Sequence, residues 1–204
     1  MIDHEAAEVN RVSLEVLGED FINLHADSLE LKEDFLNSQA SVKARLTQTK
    51  GDEKSSYEVI GSGVGLVDAY FEALLASFSK EYVSLNTISI VDFNIHIKMT
   101  GSAGRHTDAI AIAALRIKNS DRHEYVFEHK SVSVSQSSVG AAQDAIQFFI
   151  DAERAYTKLH FALEDAKERT RSDLVQKYQI QMGTLVKATS YKEIAERLKQ
   201  PKAS

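Results

Sequence analysis

The sequence has no cysteine, a single proline and no long hydrophobic run among its 204 residues. Without cysteine, the chain can form no disulfide, no thiolate metal site and no cysteine nucleophile. No apolar stretch approaches the roughly 18 residues of a membrane span, and the acidic start MIDHEAAEVN is unlike a basic signal peptide. We therefore expect no membrane partner and, by default, a cytoplasmic location.

Signals for a nucleic acid, a metal or a cofactor are also missing. The net charge of −6, with acidic and basic residues intermixed, disfavours neutralisation of a phosphate backbone. The seven histidines include no pair at the four-residue spacing of a helical metal site. Gly61-Ser62-Gly63 lacks the spacing of a serine nucleophile elbow, and the glycines do not match a dinucleotide fingerprint. We expect no catalytic residues, no cofactor and no metal.

Hydrophobic residues make up 43% of the chain, the proportion of an ordinary globular core. Their spacing in the first half predicts strands. Apolar and polar residues alternate from Val42 to Gln48 and weakly from Asp27 to Phe35, where we expect an edge strand. The turn Lys50-Gly51-Asp52 leads to a returning strand at Tyr57 to Ile60, so the last two strands form a hairpin.

The stretch from Gly61 to Ala76, GSGVGLVDAYFEALLA, closes this first unit. Three glycines within five residues precede apolar residues at helical spacing, so the chain turns sharply into a helix. Glycines would let backbone amides approach a carboxylate at the helix start, where the dipole favours a negative group. A tight turn that needs positive φ values, without any ligand, explains the same residues.

The second half repeats this order of elements. From Ile88 to Met99 the alternation separates an apolar face from a polar one. The apolar residues are Val91, Phe93, Ile95 and Ile97, and the polar residues are Asp92, Asn94, His96 and Lys98. The polar face must meet water, a partner subunit or an effector. Strands at Thr107 to Ile117 and at Glu124 to Val134 follow, and Ser135 to Ser138 would then cap a helix from about Val139 past Leu163.

Together these patterns predict an α+β fold of two βββα units, residues 27–79 and 86–166, in a pseudo-symmetric domain. Residues 1–26 form an N-terminal connector whose helix breaks near Gly18. Residues 167–204 are charged and weakly amphipathic, and they predict a helical tail outside the core domain.

Three motifs in this order resemble the C-terminal regulatory (allosteric and dimerisation) domain of the 2-isopropylmalate synthase and citramalate synthase family. The segment from Gly63 to Ala69, GVGLVDA, is similar to the family's G-x-G-P-V-D-A. Val91-Asp92-Phe93 through Gly101, with Thr107-Asp108-Ala109, is similar to its L-x-D-Y strand, glycine loop and D-A strand start. Val134-Ser135 with Ala141, Ala142 and Ala145 is similar to its G-V-S-x-x-I-I-x-A-S-x-x-A segment. Residues 12–22 are similar to its connector, so coverage is about residues 12–163.

The resemblance implies a regulatory domain without the family's catalytic TIM barrel, and therefore no enzyme on its own. It implies a homodimer that senses a branched-chain amino acid, leucine or isoleucine, for feedback control of amino-acid biosynthesis. The catalytic synthase domain would be its partner in cis or in trans. The expected effector-binding residues are Gly63, Val64, Gly65, Leu66, Asp92, Asn94, His96, Ser135 and Ser137.

Several alternatives stay open at these residues. With the resemblance, ligand contact and a ligand-free turn explain the glycines about equally well, whereas plain capping is the better explanation of any single serine. The sequence departs from the family motifs at Leu66 in place of proline, Ser133 in place of glycine, Gly140 in place of an acidic residue, and Ala141-Ala142 in place of A-S. A second hypothesis is therefore a structural or interaction dimer that has lost effector binding and uses the tail after residue 166 to bind another protein.

Overall fold

The computed structural model describes residues 4–99 and 109–199. The expected glycine loop at 101–104, the motif residues Thr107 and Asp108, and residues 1–3 and 200–204 of the connector and tail lie outside the described residues. Helix α1 (His4–Leu17) ends in a 3-10 turn at Gly18–Asp20, which confirms the predicted break near Gly18.

Two βββα units follow α1, so the predicted α+β class is confirmed. The first unit has β1 (Ile22–Asp34), β2 (Gln39–Lys50), β3 (Glu53–Gly63) and α2 (Leu66–Phe78), and the second has β4 (Ser89–Met99), β5 (Ala109–Lys118), β6 (Glu124–Ser131) and α3 (Val134–Glu168). The strands pair antiparallel in two separate sheets, in the orders β1-β2-β3 and β4-β5-β6. Helices α4 (Ser172–Leu185) and α5 (Tyr191–Lys199) complete the described chain.

The turns follow from local chemistry. Gly51 adopts φ +55°, which glycine tolerates without steric cost, and the predicted β2–β3 hairpin is confirmed. At the β1–β2 connection, an Asp34 carboxylate oxygen accepts hydrogen bonds from the amides of Leu36 (3.0 Å) and Asn37 (3.2 Å). Hydrogen bonds from the Asn37 side chain and backbone also hold the pKa of Asp34 below its ordinary value. The β5–β6 turn begins at Asn119, whose side-chain oxygen accepts from the amide of His123 at 3.0 Å.

Helix α3 lies at the centre of the molecule. It packs on β5 and β6 of its own sheet and also reaches β1 of the other, whereas α2 packs on β2 and β3. The amides of Ile22 and Leu24 donate to the side chains of Asp151 (3.2 Å) and Gln147 (3.1 Å) on α3. This anchoring explains why β1 starts at Ile22, ahead of the strand predicted from Asp27. The apolar core is shared by both units.

Helices α4 and α5 also contribute to this core. Leu185, Ala188 and Ile194 are at most 2% exposed and pack within the same apolar cluster. Nδ2 of the Asn119 side chain donates to the Lys187 carbonyl oxygen at 2.7 Å, and the Ser190 backbone amide donates to the Ser84 hydroxyl at 3.2 Å. The tail is helical as predicted. The sequence pattern placed the tail outside the core domain, but its buried side chains are part of the core.

Candidate functional site

Of the three glycines at the first helix start, Gly61 and Gly63 serve close packing, and none of the three has a positive φ. Gly61 and Gly63 end β3, and Gly65 precedes α2 with an extended backbone at φ −169°. A Cβ on Gly61 would lie 2.2 Å from the Ala69 carbonyl oxygen. The expected need for positive φ is therefore wrong at these positions. A side chain does not fit at Gly61 because the backbones of β3 and α2 are in direct contact there.

The protein supplies its own carboxylate to this helix start. The Val64 amide donates to Oδ2 of Asp68 at 3.0 Å, and a Cβ on Gly63 would lie 2.3 Å from the same oxygen. Asp68 also lies in the first turn of α2, where a negative charge is favoured by the helix dipole. A ligand carboxylate that used the Val64 amide would first have to displace Asp68.

A groove of about 690 Å³ opens beside this helix start. The end of β1, the start of β2, the end of β3 and the β1–β2 connection form its walls, which contain Lys32, Asp34, Asn37, Ser38, Gln39, Ala40, Ser41, Ser62, Gly63 and Val64. Of the predicted effector residues, Gly63 and Val64 line this groove. Gly65 and Leu66 follow them along the chain at the start of α2.

The second helix start differs in detail from the prediction. Helix α3 begins at Val134, and its N-cap is Ser133, whose hydroxyl accepts from the Gln136 amide at 3.3 Å. The cluster from 135 to 138, expected to cap the helix, instead forms its first turn. Ser135 is exposed, whereas Ser137 is buried and donates to the Val134 carbonyl oxygen at 2.9 Å.

Both faces of β4 are open over much of the strand. On the polar face, Nδ2 of the Asn94 side chain donates to an Asp92 carboxylate oxygen at 2.7 Å, and His96 is exposed. On the apolar face, Ile95 and Ile97 remain 40% and 50% exposed, although the alternation predicted a buried side. The reason is that α3 covers β5 and β6 and leaves the edge strand β4 largely uncovered.

The predicted site residues thus form three groups, one at each helix start and one on β4. Within the described residues, no hydrogen bond or ion pair joins one group to another. Their assembly around one ligand remains a prediction.

Two buried carboxylates on α3 escaped the sequence patterns. Oδ1 of Asp151 accepts from the Ile22 amide and from Nη1 of Arg154 (2.8 Å), while Oδ2 is buried with no hydrogen-bond partner among the described residues. Burial raises the pKa of Asp151 to about 6. Glu153 accepts from the amides of Val83 (3.2 Å) and Ser84 (2.8 Å), and burial raises its pKa as well. The sequence signal that could have revealed these buried carboxylates is the presence of acidic residues within an apolar helical stripe.

A histidine and an aspartate form a second unforeseen pair. Nδ1 of His129 on β6 lies 2.8 Å from Oδ2 of Asp144 on α3. A Cβ on Gly140 would lie 2.4 Å from the His129 ring. Glycine at 140, where the family motif has an acidic residue, therefore leaves room for this imidazole.

Among residues 4–99 and 109–199, no three histidine or acidic side chains come together as a possible metal site. Every helix described there is too short or too polar to cross a bilayer.

Two βββα units, joined through α3 around one core, define an α+β domain. The chain matches the family described as the LeuA allosteric (dimerisation) domain over residues 6–151, and it belongs to that family. This confirms the family expected from the motifs. The match starts within α1 and ends within α3. A comparison with curated proteins found no match.

Proposed function

We propose that the chain is an allosteric regulatory and dimerisation module of a 2-isopropylmalate or citramalate synthase-like enzyme. It senses leucine or isoleucine for feedback control of amino-acid biosynthesis, forms a homodimer in the cytoplasm, and acts on a catalytic synthase domain in cis or in trans. It has no enzyme activity of its own. The match to the LeuA allosteric (dimerisation) domain carries this proposal.

The proposed effector residues are the nine expected from the motifs: Gly63, Val64, Gly65, Leu66, Asp92, Asn94, His96, Ser135 and Ser137. An amino-acid effector presents a carboxylate, an ammonium group and an apolar side chain. The partly exposed Asp92 complements the ammonium group, and the exposed apolar side of β4 complements the branched side chain.

The second helix start suits the effector carboxylate better than the first. Asp68 already accepts from the Val64 amide at the first. At the second helix start, the Ser133 hydroxyl accepts a hydrogen bond from the Gln136 amide. The Val134 and Ser135 amides have no hydrogen-bond partner within the described chain. Unpaired amides at a helix N-terminus favour a carboxylate because of their direction and the helix dipole.

Thermal unfolding with added amino acids tests this function. Leucine or isoleucine should raise the melting temperature in proportion to the logarithm of its concentration above Kd, and alanine should not. No shift with any branched-chain amino acid at millimolar concentration would overturn effector binding.

Substitution at Val134 tests the location. Val134→Pro removes the amide donor at the first helical position, which proline fits, and Ser133 before it has φ −109° and ψ 128°, as a residue before proline requires. We expect this variant to fold and to lose most of the leucine shift. Val134→Ala, which keeps the amide, should retain the shift. Equal responses of the two variants would place the carboxylate elsewhere.

The alternative function is a structural or interaction dimer of the same fold without effector binding. The Asp68 carboxylate favours this alternative, because it already accepts a hydrogen bond from the Val64 amide that a ligand carboxylate would use. It predicts a dimer whose melting temperature is indifferent to amino acids. Its proposed use of the tail to bind another protein is best tested with Ile180→Lys and not with truncation. Ile180 is 65% exposed, whereas truncation would remove buried core residues.

A further inference from the structure

Strand β4 is an edge strand with little protection beyond its bulge at Val91. Its outer side pairs with no strand of the described chain. Edge strands that stay unpaired usually carry several charges, a bulge or a cover. Between the bulge at Val91 and the end at Met99, Asp92 and Lys98 are the only acidic and basic residues apart from His96. In β1, by contrast, Glu30, Lys32, Glu33 and Asp34 fall within five residues.

The two units differ in how their first strands are covered. β1 and β4 hold equivalent places in the order of elements. The helix-side residues Ile22 and Leu24 of β1 are 2% and 6% exposed beneath α3. In β4, Ile95 and Ile97 also face the helix side, because they pair with the buried Ala113 and Ala111 of β5, yet they remain about half exposed. Among the described residues, β4 therefore lacks the cover that α3 gives to β1.

We propose that β4 pairs antiparallel with β4 of a second copy of this chain, about a twofold axis at Ile95. The β4-β5-β6 sheet of one copy and the same sheet of the other copy then form one continuous six-stranded sheet. This inference rests on the homodimer of the proposed function and specifies the surface that the homodimer uses.

The sequence of β4 is self-complementary in this register. Asp92 lies opposite Lys98 of the partner subunit, and Lys98 lies opposite the partner's Asp92. On the helix side, Ile95 meets the partner's Ile95 and Phe93 meets the partner's Ile97. Directly opposed residues of antiparallel strands project from the same face, so charges meet charges and apolar groups meet apolar groups. Neither Asp92 nor Lys98 has an ion-pair partner within the described residues.

Neighbouring registers lose this complementarity. With the axis at Asn94, Lys98 would face Ile90 of the partner subunit. With the axis at His96, Lys98 would face the partner's Asn94. Because opposite charges in directly opposed positions stabilise a strand pair and other pairings do not, the register about Ile95 is favoured.

Charge reversal tests the interface in the full-length chain by sedimentation equilibrium at low salt. Asp92→Lys and Lys98→Asp each replace two attractive pairs with two repulsive pairs, so each should weaken dimerisation roughly tenfold. An equimolar mixture of the two variants should recover the wild-type affinity, because the lysines of one chain then face the aspartates of the other. Misfolding cannot imitate this recovery.

A single cysteine provides a direct distance test, since the natural chain has none. At the twofold axis the two Cα atoms would lie about 4.5–5.5 Å apart, within disulfide range. Mild oxidation should therefore cross-link Ile95→Cys rapidly and leave Ile60→Cys, an exposed position on the edge strand β3, largely uncross-linked. The two variants are matched in the residue replaced and in edge position.

Other outcomes overturn the proposal in distinguishable ways. A wild-type dimer that is unaffected by either charge reversal and is not cross-linked at position 95 uses another surface, which overturns the β4 interface and leaves the homodimer standing. A wild-type chain that stays monomeric at high micromolar concentration overturns both. Effector binding is measured separately, by the thermal shift of the wild-type chain with leucine.

Discussion

At position 61 the distance between β3 and α2 decides which residue the chain can hold. A Cβ there would lie 2.2 Å from the Ala69 carbonyl oxygen and 2.7 Å from the Ala73 amide nitrogen, both backbone atoms of α2. We therefore expect Gly61→Ala to lower the free energy of unfolding by about 1–3 kcal/mol, the usual range for overpacking. Urea denaturation followed by circular dichroism measures this change.

Gly65→Ala is the matched control. Gly65 has an extended backbone, and a Cβ there would meet nothing within 4 Å. The loss of a glycine N-cap is small and is offset by the reduced entropy of the unfolded chain, so we expect a change below about 1 kcal/mol. Equal losses for the two variants would contradict the explanation by close packing. The sequence showed a glycine-rich helix start, but only the structure shows which glycine is crowded.

The single residue Asp151 makes the free energy of unfolding depend on pH. Burial raises its pKa to about 6, whereas an unfolded aspartate titrates near 3.9, roughly its model-peptide value. Between these values the folded protein holds a proton that the unfolded chain has released. The contribution of Asp151 to the free energy of unfolding is therefore present at low pH and falls as pH rises from about 4 to 6.

Asp151→Asn should remove this term. We expect the wild-type free energy of unfolding, minus that of the variant, to be larger at pH 4 than at pH 7, with the change confined to the window between the two pKa values. Urea denaturation of both proteins at several pH values gives this difference directly. A difference that stays constant from pH 4 to pH 7 would contradict the pKa assignment.

At the scale of elements, period-two and helical patterns were sufficient to predict the order of both units and most turns. Boundaries failed where a tertiary contact extends an element. β1 begins early because Ile22 and Leu24 donate to side chains of α3, and α3 begins early because Ser133 caps it. Alternation in β4 predicted two faces correctly, but it could not show that α3 leaves the apolar face uncovered, since covering depends on a distant element.

The tail is the element whose role changed most. Its composition resembles an appended helix pair, yet Leu185 is fully buried and Ile180, on the same helix, is 65% exposed. We expect Leu185→Ala to destabilise the fold by about 2–5 kcal/mol, as buried leucines do, and Ile180→Ala to change stability by less than about 0.5 kcal/mol. Chemical denaturation of the two variants measures the contrast. Similar small effects would show that α4 is not part of the core.

At the scale of the whole molecule, the three motifs predicted the family, because their order and spacing are properties of the chain. They could not predict how the candidate site is assembled. The glycine motif and the serine motif lie at different helix starts, and Asp68 occupies an amide of the first. Whether a ligand brings these groups together depends on tertiary and quaternary geometry that local spacing does not encode.

One helix joins the two units, and this predicts how the molecule unfolds. Asp151 and Gln147 of α3 accept hydrogen bonds from β1, while Phe149, on the same helix, packs against Tyr125 and Phe127 of β6. We therefore expect both sheets to unfold together. Phe149→Ala should lower the exchange protection of β2 amides as much as that of β5 amides, by about 3–5 kcal/mol for a buried phenylalanine.

Leu74→Ala makes the same test from the other unit, since Leu74 lies on α2 and is fully buried. Native-state hydrogen exchange should then show a matching loss of protection in β5, although α2 packs on β2 and β3. If each substitution lowers protection only in its own sheet, the units are independent foldons. In that case a ligand at one helix start could influence the other only through the proposed dimer interface, because α3 would not transmit a change in stability between the sheets.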